Sequence, residues 1–322
     1  MKMKTILKTD LSLKKILSGS LAVTLGLTAS LALAGSCDKV RFSDVGWTDI
    51  TATTAIASEL VTGLGYETST QLLSVPVTYT SLANNDIDVF LGNWMPTMAA
   101  DIAKYTENGS VETLHANLEG AKYTLAVPQY VYDAGVTNFA DIAKFKDQFK
   151  GKIYGIEPGN DGNRLIQDMI DTDAFGLKGF KLVESSEAGM VSQVGRAARR
   201  EQWIAFLGWA PHPMNSTIDM AYLDGGDDFF GPNYGGASVY TNVRKDYISQ
   251  CPNVGQLLQN LSFTLDMENE LMSAILDDGQ KPDAAARAWL KSNPKALDAW
   301  LAGVTSKDGG SAQDALRRHL KL

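Results

Sequence analysis

The chain has 322 residues, 29 Lys and Arg against 37 Asp and Glu, a formal net charge of −8, and 44% hydrophobic residues. That composition can fill a core, which excludes intrinsic disorder, and a pI near 5.0 leaves no basic face to neutralise nucleic-acid phosphates. The length suits one large domain or two halves of roughly 100–170 residues each.

Residues 1–34 stand apart. Lys2, Lys4, Lys8, Lys14 and Lys15 precede or flank an apolar-to-small stretch over 16–33, and Ala32-Leu33-Ala34 offers a small-residue cleavage site. This is the layout of a secretory signal peptide cleaved near Ala34. A membrane anchor is the competing reading, but Ser18, Gly19, Ser20, Thr24, Gly26, Thr28 and Ser30 dilute the ~20 apolar residues it needs. Cleavage removes five Lys and one Asp and takes the formal charge to −12. The only cysteines, Cys37 and Cys251, both lie in the exported part, where a lone pair is expected to bridge. Chain entropy assigns so long a loop roughly 5 kcal/mol as an upper figure. The alternative makes Cys37 an acylated first residue after Ala34-Gly35-Ser36, although the aliphatic residue expected three places before it is missing.

In the mature chain, residues 39–45 alternate as a strand that runs into Gly46-Trp47-Thr48-Asp49. Residues 50–64 carry apolar side chains at helical spacing and stop at Gly65. Residues 68–77 read as a second strand, 79–85 as a short helix, and 86–92 as a third strand ending in Asn93-Trp94-Met95-Pro96. The rhythm of a parallel sheet with covering helices then restarts. It gives a strand over 151–156, a turn over 157–162, a helix over 163–171, a strand over 180–184, a helix over 189–200 and a strand over 203–208. The last ends at Trp209-Ala210-Pro211, and Ala205-Phe206-Leu207-Gly208-Trp209-Ala210-Pro211 matches Val89-Phe90-Leu91-Gly92-Asn93-Trp94-Met95-Pro96 with one residue inserted. The C-terminal part is helical, with a helix start at Asn293-Pro294 and with Trp289 and Trp300 expected in its core.

No catalytic machinery is legible. His115, His212 and His319 are not paired at metal-binding spacing, and the nucleophile-elbow, zincin, redox-dithiol, dinucleotide and P-loop motifs are absent. Neither an enzyme activity nor a cofactor or metal is expected. His212, between Pro211 and Pro213, either touches a ligand or orders its loop. What the chain does offer is aromatic residues at strand ends: Trp47, Trp94 and Trp209, with Tyr123 at the start of a segment crossing between the halves. Ligands of open parallel sheets bind beyond the carboxyl ends of strands, so these rings are expected to share one site. Converging ring faces suit a weakly hydrated cation that makes no hydrogen bonds, a quaternary ammonium. Asp49 supplies the carboxylate, caps the helix that follows, or does both.

These segments resemble the substrate-binding proteins of bacterial ABC importers for quaternary amines, the glycine betaine and choline family. The resemblance spans the mature chain. It rests on Gly46-Trp47-Thr48-Asp49, Leu91-Gly92-Asn93-Trp94-Met95-Pro96, Lys122-Tyr123, Glu157-Pro158-Gly159-Asn160-Asp161-Gly162 and Leu207-Gly208-Trp209-Ala210-Pro211-His212-Pro213. It implies an α/β, two-lobed periplasmic binding protein fold of type II, each lobe a mainly parallel sheet flanked by helices, with ligand in the inter-lobe cleft. One lobe would comprise 35–118 plus 233–322 and the other 119–232. It also implies a cage of Trp47, Trp94, Tyr123 and Trp209, with Asp49 near the ammonium group and Asn160 on the alcohol end of the ligand. The partners implied are the ligand and an integral-membrane permease, with no nucleic acid and a periplasmic monomer as the working form. Between ligands, Asp49 and the neutral amide of Asn160 favour choline. The Gly159–Gly162 turn at a helix start could instead hold the carboxylate of glycine betaine. A choline-ester hydrolase and a ligand-presenting sensor module are the readings from other classes.

Overall fold

The computed structural model describes residues 37–322, so the signal peptide read over 1–34 lies outside the described residues. Nine strands occur in this region: β1 (Lys39–Asp44), β2 (Glu67–Leu72), β3 (Val89–Met95), β4 (Val111–Pro128), β5 (Lys152–Tyr154), β6 (Lys181–Val183), β7 (Phe206–Ala210), β8 (Met220–Tyr222) and β9 (Gly236–Arg244). All hydrogen-bond into one sheet in the order β2-β1-β3-β9-β4-β7-β5-β6, with β8 joined to β4.

This connectivity corrects the two-lobed expectation. Two parallel sets exist, as the strand–helix–strand rhythm implied: β1 pairs parallel with β2 and β3, and β5 pairs parallel with β6 and β7. They do not form separate lobes with a cleft between them. β9 runs antiparallel to β3, β4 antiparallel to β9, and β7 antiparallel to β4, so the ladder never breaks. The result is a single curled half-barrel sheet of nine strands flanked by helices. The segment taken to cross between halves is itself the longest strand, 18 residues, and the boundary placed at 118/119 falls inside it.

Local chemistry explains where other elements moved. β2 stops at Leu72, and residues 75–83 form a helix (Val75–Ala83) with Pro76 in its first turn, where a missing N–H costs nothing. β3 begins at Val89, directly after Asp88, whose carboxylate accepts from Arg41 (2.7 and 2.9 Å) and Arg244 (2.7 Å). Every residue of β3 but the last is buried, as expected for a strand covered on both faces. The helix Thr48–Gly63 lies on this arm through Ile50, Ile56, Leu60 and Val61, and the helices Leu265–Leu276 and Pro282–Ser292 pack on it in turn. Trp300 is buried there, and Trp289 is half-buried and stacked on it at 6.0 Å. Cys37 and Cys251 are disulfide-bonded, Cα to Cα 5.6 Å, which leaves no Cys37 thiol for acylation.

Candidate functional site

The sheet brings the rings together through register. Tyr123 on β4 is the direct cross-strand partner of Trp209 on β7, with ring centroids 6.3 Å apart at 81°. Trp94 lies within β3, just past a register shift against β9 between Phe90 and Asn93, and irregularities of this kind re-aim the following side chains. Its ring meets Tyr123 edge-on at 5.9 Å. Trp94 and Trp209 therefore sit inside strands rather than after them. Trp47 alone follows its strand, as the residue that opens the helix Thr48–Gly63.

Trp47, Asp49, Trp94, Tyr123, Asn160 and Trp209, the six residues singled out in the sequence, border one cavity with about 270 Å³ of atom-free space. Ile156 and Asp161 complete its wall. The polar tips of Trp47, Trp94 and Tyr123 are tied down, which leaves their ring faces for the cavity. The Trp47 indole donates to Glu157 at 2.7 Å, the Trp94 indole to Asp49 Oδ2 at 3.1 Å, and the Tyr123 hydroxyl to Asn160 Oδ1 at 2.8 Å. Asn160 caps the helix Asp161–Asp171 by accepting from the Asn163 N–H at 3.0 Å, and its own amide donates to Asp161 at 3.2 Å. Gly162 is required in that first turn, because a Cβ there would collide with the Tyr123 hydroxyl.

The cavity wall is strongly acidic. Asp49 is buried, its Oδ1 has no hydrogen-bond partner, and burial together with the charge of Glu187 pushes its carboxyl up to about 8. Burial pushes Glu157 up to about 7 and Asp161 up to about 6. Asp49 is not the cap of its helix. The Thr48 backbone N–H donates instead to Glu187 Oε2 at 2.8 Å, and the Thr48 hydroxyl to Glu187 Oε1 at 2.7 Å. His212 does not border the cavity; it orders the loop after β7. Its Nδ1 accepts from the Met214 N–H at 2.9 Å, so the ring proton sits on Nε2 and is donated to Glu187 at 3.0 Å. The His212 ring meets Trp209 at 4.8 Å, so Glu187 links the start of the Trp47 helix to the support of Trp209. Glu157, Asp161 and Glu187 carried no separable signal in the sequence: each reads as an ordinary acid in a turn or at a helix start.

Residues 38–292 match the family described as the substrate binding domain of ABC-type glycine betaine transport systems. The chain belongs to this family. It is the non-catalytic, extracytoplasmic binding component of a bacterial ABC importer for quaternary amines, and it works with a membrane permease. A solved ABC-transporter choline-binding protein in complex with choline is 62% identical to this binding protein, with a TM-score of 0.88 over 88% of this chain and 99% of that one. A lactococcal protein in a closed, glycine betaine-bound form is 28% identical, with a TM-score of 0.73 over 81% and 98%. The glycine betaine/carnitine transport binding protein of Listeria monocytogenes is 30% identical over 163 residues, which are 51% of this chain and 53% of that protein.

Proposed function

We propose that this binding protein captures choline in the cavity walled by Trp47, Trp94, Tyr123 and Trp209 and presents it to the permease. One observation carries the reading. Four buried rings and a buried carboxylate with a free oxygen surround a single cavity, and none of its lining residues is cationic. A quaternary ammonium offers no hydrogen-bond donor, so ring quadrupoles and a nearby anion are the means of holding it. Each ring contributes about 0.5–2 kcal/mol, so four supply about 2–8 kcal/mol against the about 8 kcal/mol of micromolar binding. Asp49 provides the remaining attraction, and the free N–H of the Asn160 amide donates to the ligand's alcohol oxygen. The similarity to the choline-bound protein supports the same ligand.

Glycine betaine is the second reading. It is favoured by the 11-residue helix Asp161–Asp171, whose N-terminus adjoins the cavity and attracts anions. The carboxylates of Asp49 and Asp161 oppose it. The protein is further proposed to be exported by residues 1–34, cleaved near Ala34, and to act as a monomer. Calorimetric titration of residues 35–322 with each ligand tests the assignment. Tight choline and weak betaine binding is the expected result; the reverse order would transfer the assignment to betaine, and no binding of either would overturn the quaternary-amine cage.

A further inference from the structure

A second carboxylate in the cavity wall does more than repel a betaine carboxylate. Asp161 is 1% exposed and occupies the first helical position after Asn160. Its Oδ1 accepts from the Asn160 amide at 3.2 Å, whereas its Oδ2 has no hydrogen-bond partner. The Thr97 hydroxyl is near enough to favour the ionised form, yet it donates to the Trp94 carbonyl at 3.2 Å. Arg164 is also engaged elsewhere, with its guanidinium on the Thr97 carbonyl at 3.0 Å and on Asp101 at 2.9 Å. On the neighbouring residue, Asn160 Oδ1 already accepts from the Tyr123 hydroxyl and the Asn163 N–H, so it has no lone pair to spare. The Asn160 end of the cavity thus presents one unused amide N–H and one unused carboxylate oxygen side by side.

We propose that Asp161 is the specificity residue that selects an alcohol over a carboxylate at the uncharged end of the ligand. Its Oδ2 accepts the ligand's hydroxyl proton while the free Asn160 N–H donates to the hydroxyl oxygen. The inference rests on the quaternary-amine reading. A hydroxyl is donor and acceptor at once, so it satisfies both groups, and a buried acceptor left without a donor is costly. A ligand carboxylate satisfies only the amide and forces two anions together away from water. Asp49 and the rings act on the ammonium group, which choline, tetramethylammonium and glycine betaine share; Asp161 meets the end in which they differ.

The test is isosteric Asp161→Asn, titrated with choline, tetramethylammonium and glycine betaine. Choline binding is expected to weaken roughly ten- to hundredfold, the range of a lost charge-assisted hydrogen bond. Tetramethylammonium, which has no hydroxyl, should weaken several-fold less, and glycine betaine should bind more tightly than to the wild type. Equal weakening of choline and tetramethylammonium, with betaine still excluded, would overturn the proposal. Should the variant fail to fold by circular dichroism, the wild-type protein decides with the methyl ether of choline, whose oxygen accepts but offers no proton. Roughly tenfold weaker binding of the ether than of choline supports the role of Asp161, and equal binding overturns it. A wild-type protein that binds neither choline nor tetramethylammonium sinks the functional reading itself. One that binds both equally well sinks only Asp161.

Discussion

Asp49 keeps one carboxylate oxygen on the Trp94 indole and the other without a partner, in a wall that also holds Asp161. Burial first, and the charge of Glu187 second, push its carboxyl up to about 8, while burial and the charge of Asp49 push Glu268 well above the carboxylate range. Without a ligand, Asp49 therefore holds a proton at neutral pH. A permanent cation favours the ionised form, so binding expels that proton, and choline affinity is expected to fall as pH drops below about 8, by up to tenfold per unit. Calorimetry at pH 7 in two buffers of different ionisation enthalpy reads the released proton, and identical heats would show that Asp49 does not titrate on binding. Stability of the ligand-free protein runs the other way. A carboxyl whose folded value is raised contributes stability that is complete below the unfolded value near 4 and disappears as pH rises through about 8. The Trp47 to Asp49 segment was conspicuous in the sequence because a tryptophan followed a strand end. Glu187 was not, since its partner Thr48 lies 139 residues away.

At the scale of elements, two helix starts contribute residues to the wall. The helix Thr48–Gly63 has no side-chain cap of its own, and its first N–H is satisfied by Glu187 from a distant helix (Glu187–Ala198). The helix Asp161–Asp171 caps itself through Asn160, and the same side-chain oxygen fixes the Tyr123 hydroxyl. That double use makes Gly162 a test of the element. Alanine suits a helix interior by about 1 kcal/mol over glycine, yet its Cβ would displace the Tyr123 hydroxyl. Gly162→Ala is expected to leave helical content unchanged and to weaken choline binding roughly tenfold, the range of one lost ring contact and hydrogen bond. Full affinity in that variant would remove Tyr123 from the cage. The turn over 157–162 and the helix after it were legible from the Pro-Gly-Asn signals. The extension of strand character through Trp94 and Trp209 was not, because a proline two residues beyond each tryptophan reads as a stop.

In the molecule as a whole, the disulfide joins the approach to β1 with the start of the helix Pro252–Asn260, a separation of 214 residues. It closes a loop that contains all nine strands, so it constrains the entire sheet in the unfolded chain. Cys37→Ser with Cys251→Ser is expected to lower unfolding free energy by about 3–5 kcal/mol and to lower Tm accordingly, while choline affinity at 25 °C stays within a few-fold. Denaturant titration with and without ligand measures both. A change under 1 kcal/mol, roughly, would mean that the sheet alone fixes these ends.

The sequence by itself determined the local and chemical parts: the parallel strand–helix rhythm in each half, the residue types able to hold a quaternary ammonium, and the lack of any visible catalytic constellation. These follow from periodicity, turn residues and side-chain chemistry, which act over a few residues. Tertiary structure decided that the two parallel sets share one sheet, because the antiparallel pairings of β4 with β9 and β7 join residues up to about 130 positions apart, and no local pattern specifies such a register. It also decided which buried acid finds a partner. Asp88 meets two arginines and is pulled below its usual range, whereas Asp49 and Asp161 each keep an oxygen free in the cavity wall. An aspartate's type is written in the chain, but its desolvation and its neighbours exist only once the sheet has formed.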